Sequence, residues 1–177
     1  MDYEKYRPND RFSNVSQIDF ARLFRLGLSY YIFDLDDTLA EPGEDLDLSC
    51  CETIINARKS RQIQKMIIVS NIWIGWPSLS NHVSEAAFKL DCPYIAACWP
   101  HMKPKSQPFL SAMDIMGSRT TNTAIVGDRL KTDIYGGNRL GLYTILVNPL
   151  SSESIRTAGK RAKERKIMDH LGLPHRL

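Results

Sequence analysis

The sequence predicts an α/β fold: a doubly wound, Rossmann-like parallel sheet of five strands with helices on both faces. Three observations carry this expectation. Short apolar runs rich in β-branched and aromatic residues recur along the chain, amphipathic segments of helical length separate them, and helix-stopping glycines precede three of the runs. The runs are 30–35, 66–69, 94–99, 123–126 and 143–147. Strands that alternate with helices pair in parallel through right-handed crossovers, and chemistry then collects at the carboxyl ends of the strands.

The elements follow in order. A first helix over 19–26, closed by Gly27, offers Phe20, Leu23 and Phe24 for packing on the sheet. Ser49-Cys50-Cys51-Glu52 reads as a capping box that opens a helix through about Ser60. A third helix covers 81–90. A fourth covers 107–116, with Phe109, Met113 and Met116 on one face and Gly117 as its stop. A fifth runs over 132–140 to Gly141. The whole chain, 1–177, is expected to form one domain with an N-terminal extension at 1–18 and a basic, helical C-terminal tail at 151–177.

Composition excludes several classes. Hydrophobic residues make up 43% and charged residues 24%, a balance that builds a core and is wrong for a disordered chain. The longest apolar stretch, around 66–76, is interrupted by Ser70 and Asn71 and is too short to cross a bilayer. The N-terminus lacks the apolar core of a secretory signal, so a cytoplasmic location is expected. A net charge of +3 is too small to argue for nucleic acid, and none is expected. Cys50, Cys51, Cys92 and Cys98 have neither zinc-ligand spacing nor a disulfide framework, and read as free thiols.

The unusual residues sit at strand ends. The first run leads into Asp34-Leu35-Asp36-Asp37-Thr38, three acids at the mouth of a buried sheet, which are costly unless a cation neutralises them. The fourth run leads into Gly127-Asp128, with Asp133 five positions on. If those two strands are neighbours, Asp34, Asp36, Asp128 and Asp133 converge on an oxygen-rich site that suits Mg²⁺. The second run ends in Ser70 and Asn71, donors for phosphate oxygens; the third is followed by Lys103 and Lys105, which offer positive charge. Singly, each of these is equally a turn, a helix-entry signal or a solvated loop charge. In this order, each at its own strand end, they form a set.

That set resembles the four motifs of the haloacid dehalogenase (HAD) superfamily of phosphatases over roughly residues 23–149: Asp34-Leu35-Asp36-Asp37-Thr38, Ser70, Lys103, and Gly127-Asp128-Arg129-Leu130-Lys131-Thr132-Asp133. The longer stretch from Asp128 to Gly141 resembles the YqeG-like, subclass IIIA branch, which includes phosphatidylglycerophosphate phosphatases. The resemblance implies Asp34 as a nucleophile that forms an aspartyl-phosphate, and Asp36 as the general acid and base. It implies Thr38 as a brace, and Ser70, Asn71 and Lys103 (Lys105 in the same loop being the alternative) as phosphate holders. It also implies Mg²⁺ held by Asp34, the Asp36 carbonyl, Asp128 and Asp133. The branch often reads Ser-Asn-Asn at its second motif; here Ile72 follows Asn71, and Trp73 and Trp76 come next.

Spacing bears on the substrate. The segments from Thr38 to Ser70 and from Ser70 to Lys103 are each filled by a loop, a helix and a strand, so neither holds a cap domain. An open site takes a substrate with a large body, or is closed by an oligomeric partner. The basic tail (Arg156, Lys160, Arg161, Lys163, Arg165 and Lys166) together with Trp73 and Trp76 would suit the face of an anionic membrane, and each reads equally as a solvated helix or as core packing. The expectation is a Mg²⁺-dependent phosphomonoesterase acting on phosphatidylglycerophosphate at the cytoplasmic membrane face. The alternatives are a phosphatase of a soluble sugar phosphate or nucleotide, and a non-catalytic basic module on RNA or the ribosome.

Overall fold

A computed structural model describes residues 2–72, 77–152 and 155–177, without the side chains of 77–80, 155–157 and 160. Its strands are β1 (Asp10–Phe12), β2 (Tyr30–Phe33), β3 (Lys65–Asn71), β4 (Tyr94–Ala97), β5 (Thr123–Gly127) and β6 (Tyr143–Val147). Its α-helices are α1 (Phe20–Arg25), α2 (Leu48–Lys59), α3 (Pro77–Lys89), α4 (Ser106–Met116), α5 (Tyr135–Leu140) and α6 (Ile155–Leu171). The sheet order is β1-β6-β5-β2-β3-β4, and every pairing is parallel. The doubly wound parallel architecture is the expected one, with six strands rather than five. The additional strand, β1, lies in the N-terminal extension and extends the sheet beside β6. Its three residues, Asp-Arg-Phe, carry no apolar run; backbone pairing to β6 makes it a strand, which no local pattern could announce.

Period-two alternation sorts the strand residues onto two faces. Tyr31, Phe33, Met66, Ile68, Ala124, Val126, Ile145 and Val147 face one layer, where Phe20 and Leu23 of α1, Cys50 and Ile54 of α2, and Val83, Ala86 and Ala87 of α3 cover them. Ile32, Ile67, Val69 and Ile125 face the other layer, under Phe109, Ala112, Met113 and Met116 of α4. Leu146 belongs to a third cluster, with Leu130, Ile134, and Ile167, Met168 and Leu171 of α6. The tail is thus docked on the domain through its apolar face. Phe24, by contrast, stays largely exposed.

Local chemistry explains the helix ends. Asp47, not Ser49, caps α2: its carboxylate accepts the Cys50 N–H at 2.9 Å, and Ser49 donates its hydroxyl to the same carboxylate. The box expected from Ser49 to Glu52 does not form, because the helix begins one residue before Ser49 and places it inside the first turn. Gly117 and Gly141 close α4 and α5 in the left-handed conformation, at φ of 67° and 73°. The helix expected over 132–140 is split: 130–134 form one wide π turn before α5 begins. The connections from β2 to β3 and from β3 to β4 carry α2 and α3 respectively, so among the described residues no cap domain is inserted there.

Candidate active site

The two central strands deliver the acids. Phe33 pairs with Val126, and the Asp34 N–H donates to the Val126 carbonyl at 2.9 Å, so both chains leave the sheet side by side. Asp34 follows β2 directly, and Asp128 follows β5. The π turn after β5 brings Asp133 back over the strand end, where its Oδ2 accepts from the Arg129 N–H at 3.2 Å. Gly127 makes room for it: a Cβ there would lie 2.5 Å from Asp133 Cγ. Asp34, Asp128 and Asp133 each offer an oxygen within 4.8 Å of the other two, and all three are buried.

Lys103 completes the cluster. Its ammonium lies 2.9 Å from Asp34 Oδ1 and 2.7 Å from Asp133 Oδ1, with a side chain only 1% exposed. Neither Nζ nor Asp133 Oδ1 has a directed hydrogen bond, so the contact is one of charge. Asn71, at the end of β3, explains why the lysine is there. Its side chain accepts the Lys103 N–H at 2.8 Å and donates to the Lys103 carbonyl at 3.0 Å, pinning the loop that follows β4. Asn71 therefore holds the lysine's backbone. Lys105 is exposed at the start of α4, so Lys103 is the lysine of the cluster.

The other residues expected at the site fall close by. Ser70 is buried at the carboxyl end of β3, two steps past the Phe33–Ile68 pair. Thr38 is buried with its hydroxyl 3.5 Å from Asp128 Oδ1, so it braces that acid. Asp36 is not one of the three clustered acids; its Oδ1 lies 3.6 Å from Nε2 of His82. Asp37 has other partners. Held at φ 64°, it accepts the Ser151 N–H at 3.1 Å and pairs with Arg161 at 3.0 Å.

Burial sets the electrostatics. Loss of water pushes the Asp34 carboxyl up to about 7, with Lys103 opposing the rise and Asp133 adding to it. Asp128 is raised well above the ordinary carboxylate value by burial, against the pull of Arg161. Asp36 is raised by burial, partly offset by His82. Burial works against the Lys103 ammonium, but Asp133 and Asp34 outweigh it and keep the lysine charged. Three buried carboxylates with hard oxygen donors, two of them held above their usual range by burial, fit a divalent cation.

The C-terminal helix contributes what the sequence pattern missed. Arg161 reaches in to Asp128, Asp37 and, at 3.7 Å, Glu164; Glu164 is buried and pairs with Arg129 at 3.0 Å. Charge clustering in 151–177 suggested an outward-facing tail, and Lys163 and Lys166 are exposed as expected. Arg161 is not, because α6 turns that face onto the acids. Trp73 and Trp76 lie outside the described residues, as do the side chains of Arg156 and Lys160. A cavity of about 390 Å³ opens between β6 and α6 beside Asp37 and Asp128, walled by Leu130, Leu146, Val147 and Met168 and edged by Arg165 and Arg176. Among the described residues no helix is long and apolar enough to cross a membrane.

An all-parallel α/β sheet whose neighbouring central strands bring buried aspartates together over a buried lysine defines an aspartate-based phosphohydrolase of the α/β class. Comparison with known proteins agrees. A family model described as "HAD-hyrolase-like" matches residues 101–172. The probable phosphatase YqeG of Bacillus subtilis is 30% identical over 167 residues, covering 94% of this chain and 91% of that protein. A ribulose-1,5-bisphosphate 5-phosphatase of Halopiger xanaduensis is 34% identical over 68 residues, 38% of this chain and 28% of that one. Two solved structures share the fold. An uncharacterised protein of Listeria monocytogenes has a TM-score of 0.55 at 19% identity, covering 72% of this chain and 85% of that one. A p-nitrophenyl phosphatase of Archaeoglobus fulgidus has a TM-score of 0.51 at 13% identity, covering 83% and 94%. The chain belongs to the haloacid dehalogenase superfamily and is a phosphatase of that superfamily.

Proposed function

We propose that this phosphatase is a Mg²⁺-dependent phosphomonoesterase that works through an aspartyl-phosphate on Asp34, with phosphatidylglycerophosphate as substrate. The observation that carries the mechanism is the buried Asp34 carboxylate at the end of β2, with the Lys103 ammonium 2.9 Å away. An Asp34 oxygen attacks phosphorus, the bond from phosphorus to the leaving oxygen breaks, and the Asp36 carboxyl gives that oxygen its proton. A water then attacks the aspartyl-phosphate while Asp36 takes its proton back, and phosphate leaves Asp34. Lys103 and Ser70 meet the phosphoryl oxygens. Asp34, Asp128, Asp133 and the Asp36 carbonyl would hold the cation, which supplies positive charge against the phosphoryl group.

Three features support a lipid-borne substrate: the lack of a cap domain among the described residues, the cavity beside Asp128 with apolar walls and arginines at its edge, and the exposed Lys163 and Lys166 on the docked helix. A peripheral position on an anionic membrane face goes with this reading. The partial likeness to a sugar-bisphosphate phosphatase supports a second reading, a soluble sugar phosphate, with an oligomeric partner closing the site.

A substrate panel separates the two. Hydrolysis of phosphatidylglycerophosphate in anionic vesicles should exceed that of soluble sugar phosphates and nucleotides by about tenfold or more in kcat/KM. Equal or better turnover of a soluble sugar phosphate would favour the second reading. Asp34→Asn should lose at least ~10³-fold in kcat with its fold intact by circular dichroism. Substantial residual turnover would remove Asp34 as the nucleophile.

A further inference from the structure

We infer that His82, on α3, is a positioning residue that orients Asp36 for proton transfer to the leaving group, an assignment that rests on the reading of Asp36 as general acid. His82 Nε2 lies 3.6 Å from Asp36 Oδ1. Both atoms are buried, and neither has a hydrogen-bond partner. Two facing polar atoms left unsatisfied in a protein interior are costly, and natural folds rarely keep them without a use. The gap is too long for a hydrogen bond and too short to admit a bridging water. A shift of a few tenths of an ångström, on the scale by which catalytic hydrogen bonds tighten once substrate is bound, closes it.

The scaffold on each side is fixed, which makes the pairing a built feature. Val83, Ala86, Ala87 and Leu90 anchor α3 in the core beneath the sheet, so His82 is presented at a set place beside the loop. The Asp36 loop is held by the Asp37 N–H donating to the Ala40 carbonyl at 2.7 Å, and by the bridge between Asp36 and Ala40. Asp34 has Lys103 and Asp128 has Arg161 as close cationic neighbours; for Asp36, His82 is the basic side chain found within 4 Å among the described residues. A proton on Nε2 lets His82 hold Oδ1 and fix the carboxyl rotamer, so that the other oxygen carries the proton toward the leaving group. No covalent bond to His82 forms at any point.

Leaving-group dependence tests this in the full-length protein. An alkoxide needs the proton from Asp36, whereas p-nitrophenolate departs without one. Wild type, Asp36→Asn, His82→Ala and His82→Gln are compared on p-nitrophenyl phosphate and on a soluble alkyl phosphate, with kcat/KM reporting the transfer to Asp34. In His82→Ala the ratio of kcat/KM, p-nitrophenyl over alkyl, should rise about tenfold or more, and His82→Gln, which keeps a donor, should return most of it. An unchanged ratio in His82→Ala, whether or not overall activity falls, overturns the proposal, because a merely structural role lowers both substrates together. If Asp36→Asn itself leaves the ratio unmoved, the assignment of Asp36 fails instead. If Asp36→Asn raises it and neither His82 variant does, only the role of His82 falls. Should His82→Ala not fold, His82→Gln against His82→Leu gives the same ratio test.

Discussion

Arg161 of the C-terminal helix pairs with Asp128, the acid that follows β5, and in the same reach pairs with Asp37 from the loop after β2. One side chain thereby ties α6 to both segments that furnish the acids. Its charge also balances part of the anionic cluster, as Lys103 does from the other side.

Removing that tie should loosen the tail and leave Asp128 buried without its partner. Arg161→Ala should lose about 3–5 kcal/mol in urea unfolding, the usual result of orphaning one member of a buried pair. Limited proteolysis should then cut within 155–171 sooner than in the wild type. Unchanged unfolding and cleavage would mean that the ion pairs contribute nothing net.

Lys103 sits between Asp34 and Asp133, so Lys103→Met should lower activity sharply and destabilise the cation-free protein by about 3–5 kcal/mol. A divalent cation replaces the missing positive charge, so added Mg²⁺ should raise the melting temperature more in this variant than in the wild type. Equal shifts in the two proteins would argue against a cation among these acids.

Burial holds the Asp34 carboxyl at about 7 against an ordinary value of 3.8, and Asp128 also lies high. A buried acid of this kind keeps its proton in the folded state over a range where the unfolded chain has lost it. The native state thus binds more protons between about 4 and about 7, and stability falls as pH rises through that window. Each such group contributes a slope of at most ~1.4 kcal/mol per pH unit. In chelator-treated protein, chemical denaturation from pH 4 to 7 should therefore show stability declining, and saturating Mg²⁺ should flatten the decline. Rising stability across this range without cation would contradict the burial of these acids.

Gly127 leaves the space that Asp133 fills. Gly127→Ala puts a methyl group 2.5 Å from Asp133 Cγ, so the carboxylate must move. The Mg²⁺ concentration for half-maximal activity should rise by about 10- to 100-fold, as it does when a metal ligand's support is disturbed. A titration that overlays the wild type would remove Asp133 from the cation site.

Much of this molecule was legible before any coordinates. Continuous apolar runs at 30–33, 66–69 and 123–126, with amphipathic helical segments between, determined a parallel α/β sheet, because strands buried on both faces read as such runs. Asp34, Ser70, Lys103 and Asp128 stood out because polar groups at the ends of such runs are expensive unless something uses them.

What the tertiary structure alone decided has a common cause: each case is a pairing across distant sequence with no local signature. β1 is a strand only through β6. Asn71 became the clamp on Lys103, thirty-two positions away. Asp36 met His82, and Arg161 turned inward from a tail whose charges alone suggested a solvated face. Periodicity reports which face of an element is buried. It carries no information about which polar residue on another element will face a given charge, since Coulombic pairing depends on distance in space and not along the chain.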